Sequence, residues 1–242
     1  MTQRCSSTSI AGTSEAGSTV RRLVVFDIDD TLYLERDYVR SGFAAVGAWA
    51  RSELGMPDLD ARAWAAFEAG VRGRIFDEAL AACGVRPSGS LVSQLVDVYR
   101  SHAPAIGLLD DVRSWLAARP SDLALAVVSD GAPASQRAKA TALGLADWAD
   151  PMVFTDELGP GRGKPHPAAF ECVEAAAGLT GGACAYVGDN PTKDFAGPRC
   201  RDWRTVRVRR AGGLHAATAS GDDVDAEITG FAALDAALEW WP

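Results

Sequence analysis

Leu23-Val24-Val25-Phe26-Asp27-Ile28-Asp29-Asp30-Thr31-Leu32 runs from an unbroken apolar stretch straight into three carboxylates. A short, Val-rich apolar run with no polar alternation reads as a strand buried on both faces, as strands of parallel sheets are. Four more runs share its form: 123–130 (LALAVVSD), 152–156 (MVFTD), 183–189 (ACAYVGD) and 203–208. Helical patterns lie between them, over 110–118, 134–143, 167–177 and near 231–241. Strands alternating with helices predict an α/β fold with a doubly wound, Rossmann-like parallel sheet. Such sheets take ligands at the carboxyl ends of their strands. Four of the five runs end in aspartate (Asp27, Asp130, Asp156 and Asp189), so acid collects where a ligand is expected.

The rest of the chain bounds this picture. Its 242 residues are 48% hydrophobic and 23% charged, the balance of a globular protein with room for a core domain and a smaller one. With 24 Lys+Arg against 32 Asp+Glu, the net charge is −8. An acidic chain repels polyphosphate backbones, so nucleic acid is not an expected partner. No apolar run is long enough to span a membrane. Residues 1–20 are rich in Ser, Thr, Gly and Ala without the apolar stretch of a secretory signal, which predicts a disordered tail on a cytoplasmic protein. The five cysteines are scattered with no C-x-x-C pair, so buried thiols are expected rather than disulfides or zinc.

Between 34 and 104 the alternation stops. Helical patterns over 38–54, 59–71, 76–83 and 91–102 follow one another, separated by Gly and Pro. The expected organisation is a tail (1–20), an α/β core from 21–33 and 105–242, and a helical insertion (34–104) above the strand ends.

Three carboxylates in four residues repel one another, and a divalent cation with oxygen ligands is the usual relief. A charged turn capping the next helix through Asp30 or Thr31 is the alternative. Gly188-Asp189-Asn190-Pro191-Thr192-Lys193-Asp194 brings a second acidic turn to the adjoining crevice, and two acidic strand ends with room for substrate oxygens suit Mg²⁺. Only three of the 24 basic residues are lysines: Lys139, Lys164 and Lys193. In a chain that otherwise uses Arg, each is a candidate for a role needing a compact point charge. Lys164 lies in Gly161-Arg162-Gly163-Lys164-Pro165-His166-Pro167, just before a helical pattern, where phosphate is favoured. The loop fails as a nucleotide P-loop, since Leu158 and Pro165 stand where Gly and Ser or Thr are required. Ser129, in Val-Val-Ser-Asp-Gly, offers a hydroxyl to a phosphoryl oxygen.

Asp27-x-Asp29-x-Thr31, Ser129, Lys164 and Gly188-Asp189-x4-Asp194, in that order, resemble the four motifs of the haloacid dehalogenase-like (HAD) hydrolase superfamily. The resemblance covers roughly residues 21–212. Phe26-Asp27 into Leu32-Tyr33, Thr155-Asp156-Glu157-Leu158 and Gly188-Asp189-Asn190-Pro191 look like the branch of small-metabolite phosphatases. The resemblance implies a Rossmann-like core, a helical cap inserted between the first and second motifs, and a Mg²⁺-dependent phosphomonoesterase forming an aspartyl-phosphate. It makes Asp27 the nucleophile and Asp29 the acid–base group. It assigns the metal to Asp27, Asp29 (through its backbone carbonyl) and Asp189, and the phosphate to Ser129, Asp130 and Lys164. Thr31, Asn190 and Asp194 become supporting residues. Asp29 disfavours dehalogenation, because a departing halide needs no proton. A cap without lysine excludes the Schiff-base phosphonatases.

The expected substrate is a sugar phosphate, a sugar-acid phosphate or a nucleoside monophosphate, handled by a monomer or homodimer. A phosphomutase is the first alternative and a non-catalytic HAD-like binding module the second. Within the insertion, Arg72 and Arg74 flank Gly73 and would meet a second anionic group on the substrate, or else form an exposed basic turn. Arg137 and Lys139 either border the phosphate or sit on a solvated helix face.

Overall fold

The computed structural model describes residues 22–238. The expected tail, Cys5 and the Trp240-Trp241 pair lie outside the described residues, as does the end of the last expected helix. The first run forms β1 (Arg22–Phe26), followed at intervals by β2 (Leu123–Ser129), β3 (Met152–Phe154), β4 (Cys184–Gly188), β5 (Arg204–Val208) and β6 (Ala226–Ile228). All pair in parallel in the order β3-β2-β1-β4-β5-β6. The chain builds outward from β1 to β3, then crosses back to lay β4 on the other side of β1. This reversal opens a crevice at the carboxyl ends of β1 and β4, where such sheets take ligands.

Side-chain alternation along β1 explains why both faces are covered. Val24 and Phe26 face a cluster holding Trp115 of α5 (Asp110–Ala118), Leu143 and Phe231. Leu23 and Val25 face Phe170 and Val173 of α7 (Ala168–Ala177), together with Trp203. A strand apolar on both sides needs helices on both faces, and α5 and α7 supply them. β6 has no counterpart among the five expected strands. Its Ala-Glu-Ile is too short for its period to be read, and it exists by pairing with β5 at the sheet edge.

Between β1 and α5 lie α1 (Glu35–Leu54), α2 (Leu59–Glu68), α3 (Ile75–Ala82) and α4 (Gly89–Ser101). Val39, Phe43, Val46 and Ala50 recur at helical spacing on α1 and join Phe67, Phe76, Leu80 and Leu95 in a cluster separate from the two on the sheet. α1 ends at Gly55, whose φ of 65° suits a residue without Cβ. Gly47 allows α1 and α2 to touch, since a Cβ there would lie 2.5 Å from the Asp60 side chain. The helices begin within three residues of the expected starts. Among the described residues no helix is long and apolar enough to cross a membrane. The remaining helices are α6 (Pro133–Ala142), α8 (Ala196–Arg199) and α9 (Leu234–Ala237).

Candidate active site

Asp27 follows β1 and stays in the sheet's hydrogen-bond pattern, its N–H donating to the Val187 carbonyl of β4 at 2.9 Å. That fixes its carboxylate at the mouth of the crevice, where the Lys164 ammonium donates to Asp27 Oδ1 at 2.7 Å. The same ammonium lies 2.9 Å from Asp194 Oδ1 and donates to the Tyr186 hydroxyl at 2.9 Å. Burial alone would lower the Lys164 pKa, but Asp194 and Asp27 hold it well above its ordinary value. Lys164 is therefore a permanent cation. Burial pushes the Asp27 carboxyl up to about 6 against the pull of Lys164.

Asp189 ends β4 beside this pair. Ligand atoms of Asp27, Asp189 and Asp194 all lie within 4.8 Å of one another, and all three residues are buried. Burial, Asp27 and Asp194 push the Asp189 carboxyl up to about 9. Three oxygen-rich side chains sharing one cation leave an unmet need for positive charge, which a hard divalent ion fits. The turn that brings them together depends on Gly188, where a Cβ would fall 2.5 Å from Asp194 Oδ2. Asp194 accepts the Asn190 N–H at 2.9 Å, and Asn190 Oδ1 accepts from the Thr192 N–H and hydroxyl, closing the loop on itself. Asp194 lies in this turn, ahead of α8.

The second carboxylate of the first motif goes elsewhere. Both Asp29 oxygens are 2.7 Å from the Lys139 ammonium of α6, and the Tyr33 hydroxyl and Gln136 amide also donate to it. Burial alone would raise the Asp29 pKa; Lys139 and these hydrogen bonds bring it below the usual carboxylate value. The Asp29 side chain is thus outside the carboxylate trio, and Asp194 is the third member. Lys139 corrects the solvated-face reading: it is buried, paired and set over the Tyr38 ring at 4.3 Å. Arg137, on the same helix, instead pairs with Glu157 at the surface.

Asp27, Asp29, Ser129, Lys139, Asp189 and Asn190 all face one cavity of about 250 Å³. The Ser129 hydroxyl turns toward Gln136 at 3.3 Å. Asp130 accepts from the Thr155 hydroxyl, the Lys164 N–H and the Lys193 ammonium, so it also anchors the loop carrying Lys164. Asp30 serves the structure, accepting from the Glu35 and Leu214 N–H groups, while the N-cap position of α1 is Leu34 and not Asp30 or Thr31 as the capping alternative had it. Thr31 is buried, and its carbonyl accepts from Arg210.

A second cavity, of about 280 Å³, lies among α1–α4. Glu35 lines both cavities. Arg72 borders the second, though its guanidinium is occupied by the Phe67 and Val71 carbonyls and stacks on the Phe67 ring. Arg74 is exposed at the start of α3 and lines neither cavity.

Sequence reading missed Tyr33, Glu35, Gln136, Tyr186, Arg207 and His215. Arg207 is fully buried and donates to the Asp189, Thr218 and His215 carbonyls, binding the Asp189 turn to the loop after β5. The strand 203–208 holds two arginines, Arg204 and Arg207, and nothing local marks Arg207 as the buried one. His215 meets the Asn190 amide at 3.0 Å, and burial lowers its pKa.

The haloacid dehalogenase-like hydrolase family model matches residues 21–200. Phosphoserine phosphatase of Thermus thermophilus is 35% identical over 171 residues, 70% of this chain and 66% of that protein, so the match spans just under two thirds of that relative. Glyceraldehyde 3-phosphate phosphatase of Methanopyrus kandleri is 29% identical across 86% of this chain and 92% of that protein. Among solved structures, a 2-haloacid dehalogenase from Pseudomonas syringae is 25% identical with a TM-score of 0.60, covering 91% of this chain and 99% of that one. A HAD-hydrolase from Bacillus subtilis bound to magnesium is similar in fold, with a TM-score of 0.63 at 19% identity over 90% of this chain and 98% of that one.

Proposed function

The chain belongs to the haloacid dehalogenase-like hydrolase family, and we propose that it is a cytoplasmic, Mg²⁺-dependent phosphatase that hydrolyses a small phosphorylated metabolite through an aspartyl-phosphate on Asp27. The observation that carries this reading is the cluster of buried Asp27, Asp189 and Asp194 carboxylates, with the Lys164 cation on Asp27 and Asp194, beside the cavity that Asp27 and Asp189 line. The names of the two phosphatase relatives support the reaction class. Asp29, held two residues beyond the nucleophile, supports ester cleavage over halide release.

In this reading an Asp27 oxygen attacks phosphorus and the phosphorus–oxygen ester bond breaks, splitting one hard displacement into two. Asp29 gives a proton to the departing alcohol oxygen. Water then attacks the aspartyl-phosphate, Asp29 takes its proton, and inorganic phosphate leaves with Asp27 restored. Lys139 and Tyr33 hold the Asp29 carboxylate ionised, ready for the second half. For the first half, Asp29 must trade part of its contact with Lys139 for a proton. Ser129 and Lys164 hold the transferring phosphoryl oxygens. Asp27, Asp189 and the Asp29 backbone carbonyl would hold Mg²⁺, with Asp194 alongside. When bound, such an ion offsets the charge that otherwise keeps an anionic nucleophile from an anionic phosphate. The helices over the cavity act as a cap that excludes bulk water.

Phosphate release from a panel of phosphorylated metabolites, with Mg²⁺ and with chelator, tests this in wild type beside Asp27→Asn. Metal-dependent release that disappears in the variant is the expected result. Equal release from both proteins would overturn the nucleophile, and isomerisation of a sugar phosphate without release would make the enzyme a mutase.

A further inference from the structure

We propose that the cavity among α1–α4 receives the alcohol portion of the substrate and selects phosphomonoesters of apolar alcohols over polyhydroxylated ones. This rests on the phosphatase reading and narrows the sugar-phosphate expectation. The two cavities share Glu35, so a molecule with its phosphate over Asp27 has the second cavity directly beyond. That space, about 280 Å³, is walled by Val39, Phe43, Phe67, Phe76, Val92 and Val96. Leu214, from the loop after β5, completes the lining and is one of two large hydrophobic residues exposed among those described. An exposed leucine that faces a cavity at the join of two units has an apolar occupant as its natural partner.

Four charged side chains, Glu35, Arg72, Asp77 and Arg100, also line the cavity beside its eight apolar ones. Arg72 directs its donors to the Phe67 and Val71 carbonyls at 2.9 and 2.8 Å and lies 4.3 Å from the Phe67 ring, so it forms wall rather than hook. Tyr99 packs edge-on against Tyr38 and Phe76. A sugar placed here meets partners only at those charged groups, and its other hydroxyls would lose water against valine and phenylalanine without gaining any. An alkyl or aryl group incurs no such penalty and gains burial.

The test is a homologous series on the full-length protein with Mg²⁺. Binding of n-alkylphosphonates from ethyl to hexyl is measured by calorimetry, and kcat/KM of the matching alkyl phosphates is measured beside glycerol phosphate and glucose 6-phosphate. Affinity is expected to rise roughly fourfold per methylene, about 10²-fold across the series. Hexyl phosphate should exceed both polyol esters in kcat/KM. Val92→Phe narrows the cavity and should cut the hexyl-to-ethyl affinity ratio about tenfold; Val96→Leu, a smaller change, should cut it less. A flat series, no phosphonate binding, a preference for the polyol esters, or a slope unchanged in both variants would each overturn the proposal. A steep phosphonate series with no ester hydrolysed would sustain the cavity assignment while defeating the phosphatase reading. Hydrolysis with a flat series would do the reverse.

Discussion

The two cavities that meet at Glu35 are built by opposite means. The one at the strand ends is made of charged groups, each fixed by several partners: Lys164 touches Asp27, Asp194 and Tyr186, and Asp29 is held by Lys139, Tyr33 and Gln136. The one among the helices is walled mostly by valines and phenylalanines that would serve equally well as core. In the first, each position is dictated by charge in a dry place, and one substitution leaves a neighbour without its counter-charge. In the second, only volume and polarity are specified, which side chains of many kinds satisfy. The charged cavity is thus held rigidly and the apolar one loosely.

Four experiments press on this contrast, beginning where the effect should be greatest. Asp27→Asn should lower turnover by at least about 10⁴-fold, because the attacking oxygen is lost outright. Its circular dichroism should stay that of the wild type. Lys164→Met leaves Asp27 and Asp194 as neighbouring buried carboxylates without their cation. Urea denaturation in chelator should register a loss of about 3–5 kcal/mol, the scale of a broken buried ion pair. A loss below about 1 kcal/mol would mean the charged cavity is as forgiving as the apolar one.

Lys139→Met should be milder, lowering kcat about 10²-fold by leaving Asp29 unheld. Since Lys139 keeps the Asp29 pKa down, its removal should also move to higher pH the acid limb of the kcat profile, where Asp29 is the base that takes the proton of water, and Lys139→Arg should restore part of both. An unmoved limb would mean that Asp29 is not the group titrating. The last test changes pH alone. Burial raises the carboxyl pKa of Asp189 to about 9, of Glu35 to about 8 and of Asp27 to about 6, so between about pH 4 and 9 the folded state binds more protons than the unfolded. Stability of the metal-free protein should therefore fall as pH rises through that window. Added Mg²⁺ should flatten the trend in thermal midpoints taken at about pH 5 and about pH 8.

The same contrast explains what could be read from the sequence. Charged residues at strand ends stand out against apolar runs, so Asp27, Asp189, Asp194 and Lys164 are legible in the order of residues alone, as is the alternation that gives the sheet. Asp29 is legible as a functional group, but its partner is not. Lys139 lies ten residues beyond Ser129 on a helix whose other basic residue, Arg137, is a surface cation, and nothing local separates the two. Burial of Lys139 comes from Tyr38 and Asp29, over a hundred residues earlier, which no short window contains. Tyr186 reads as strand core, correctly, while its hydroxyl reaches the buried Lys164. The helical cavity is illegible because its lining has the composition of packing.

The loop after β5 carries a consequence for how this protein could change over generations. The four helices occupy one uninterrupted stretch of chain, so recombination could exchange them as a block while the catalytic turns stayed behind. Leu214 would not travel with that block. Its N–H is held by Asp30, next to Asp29, and its loop is braced by Arg207 inside the sheet. Any donor of new helices must therefore arrive compatible with a leucine it did not bring. Drift at position 214 alone, with no change in the helices, could shift which compounds are accepted.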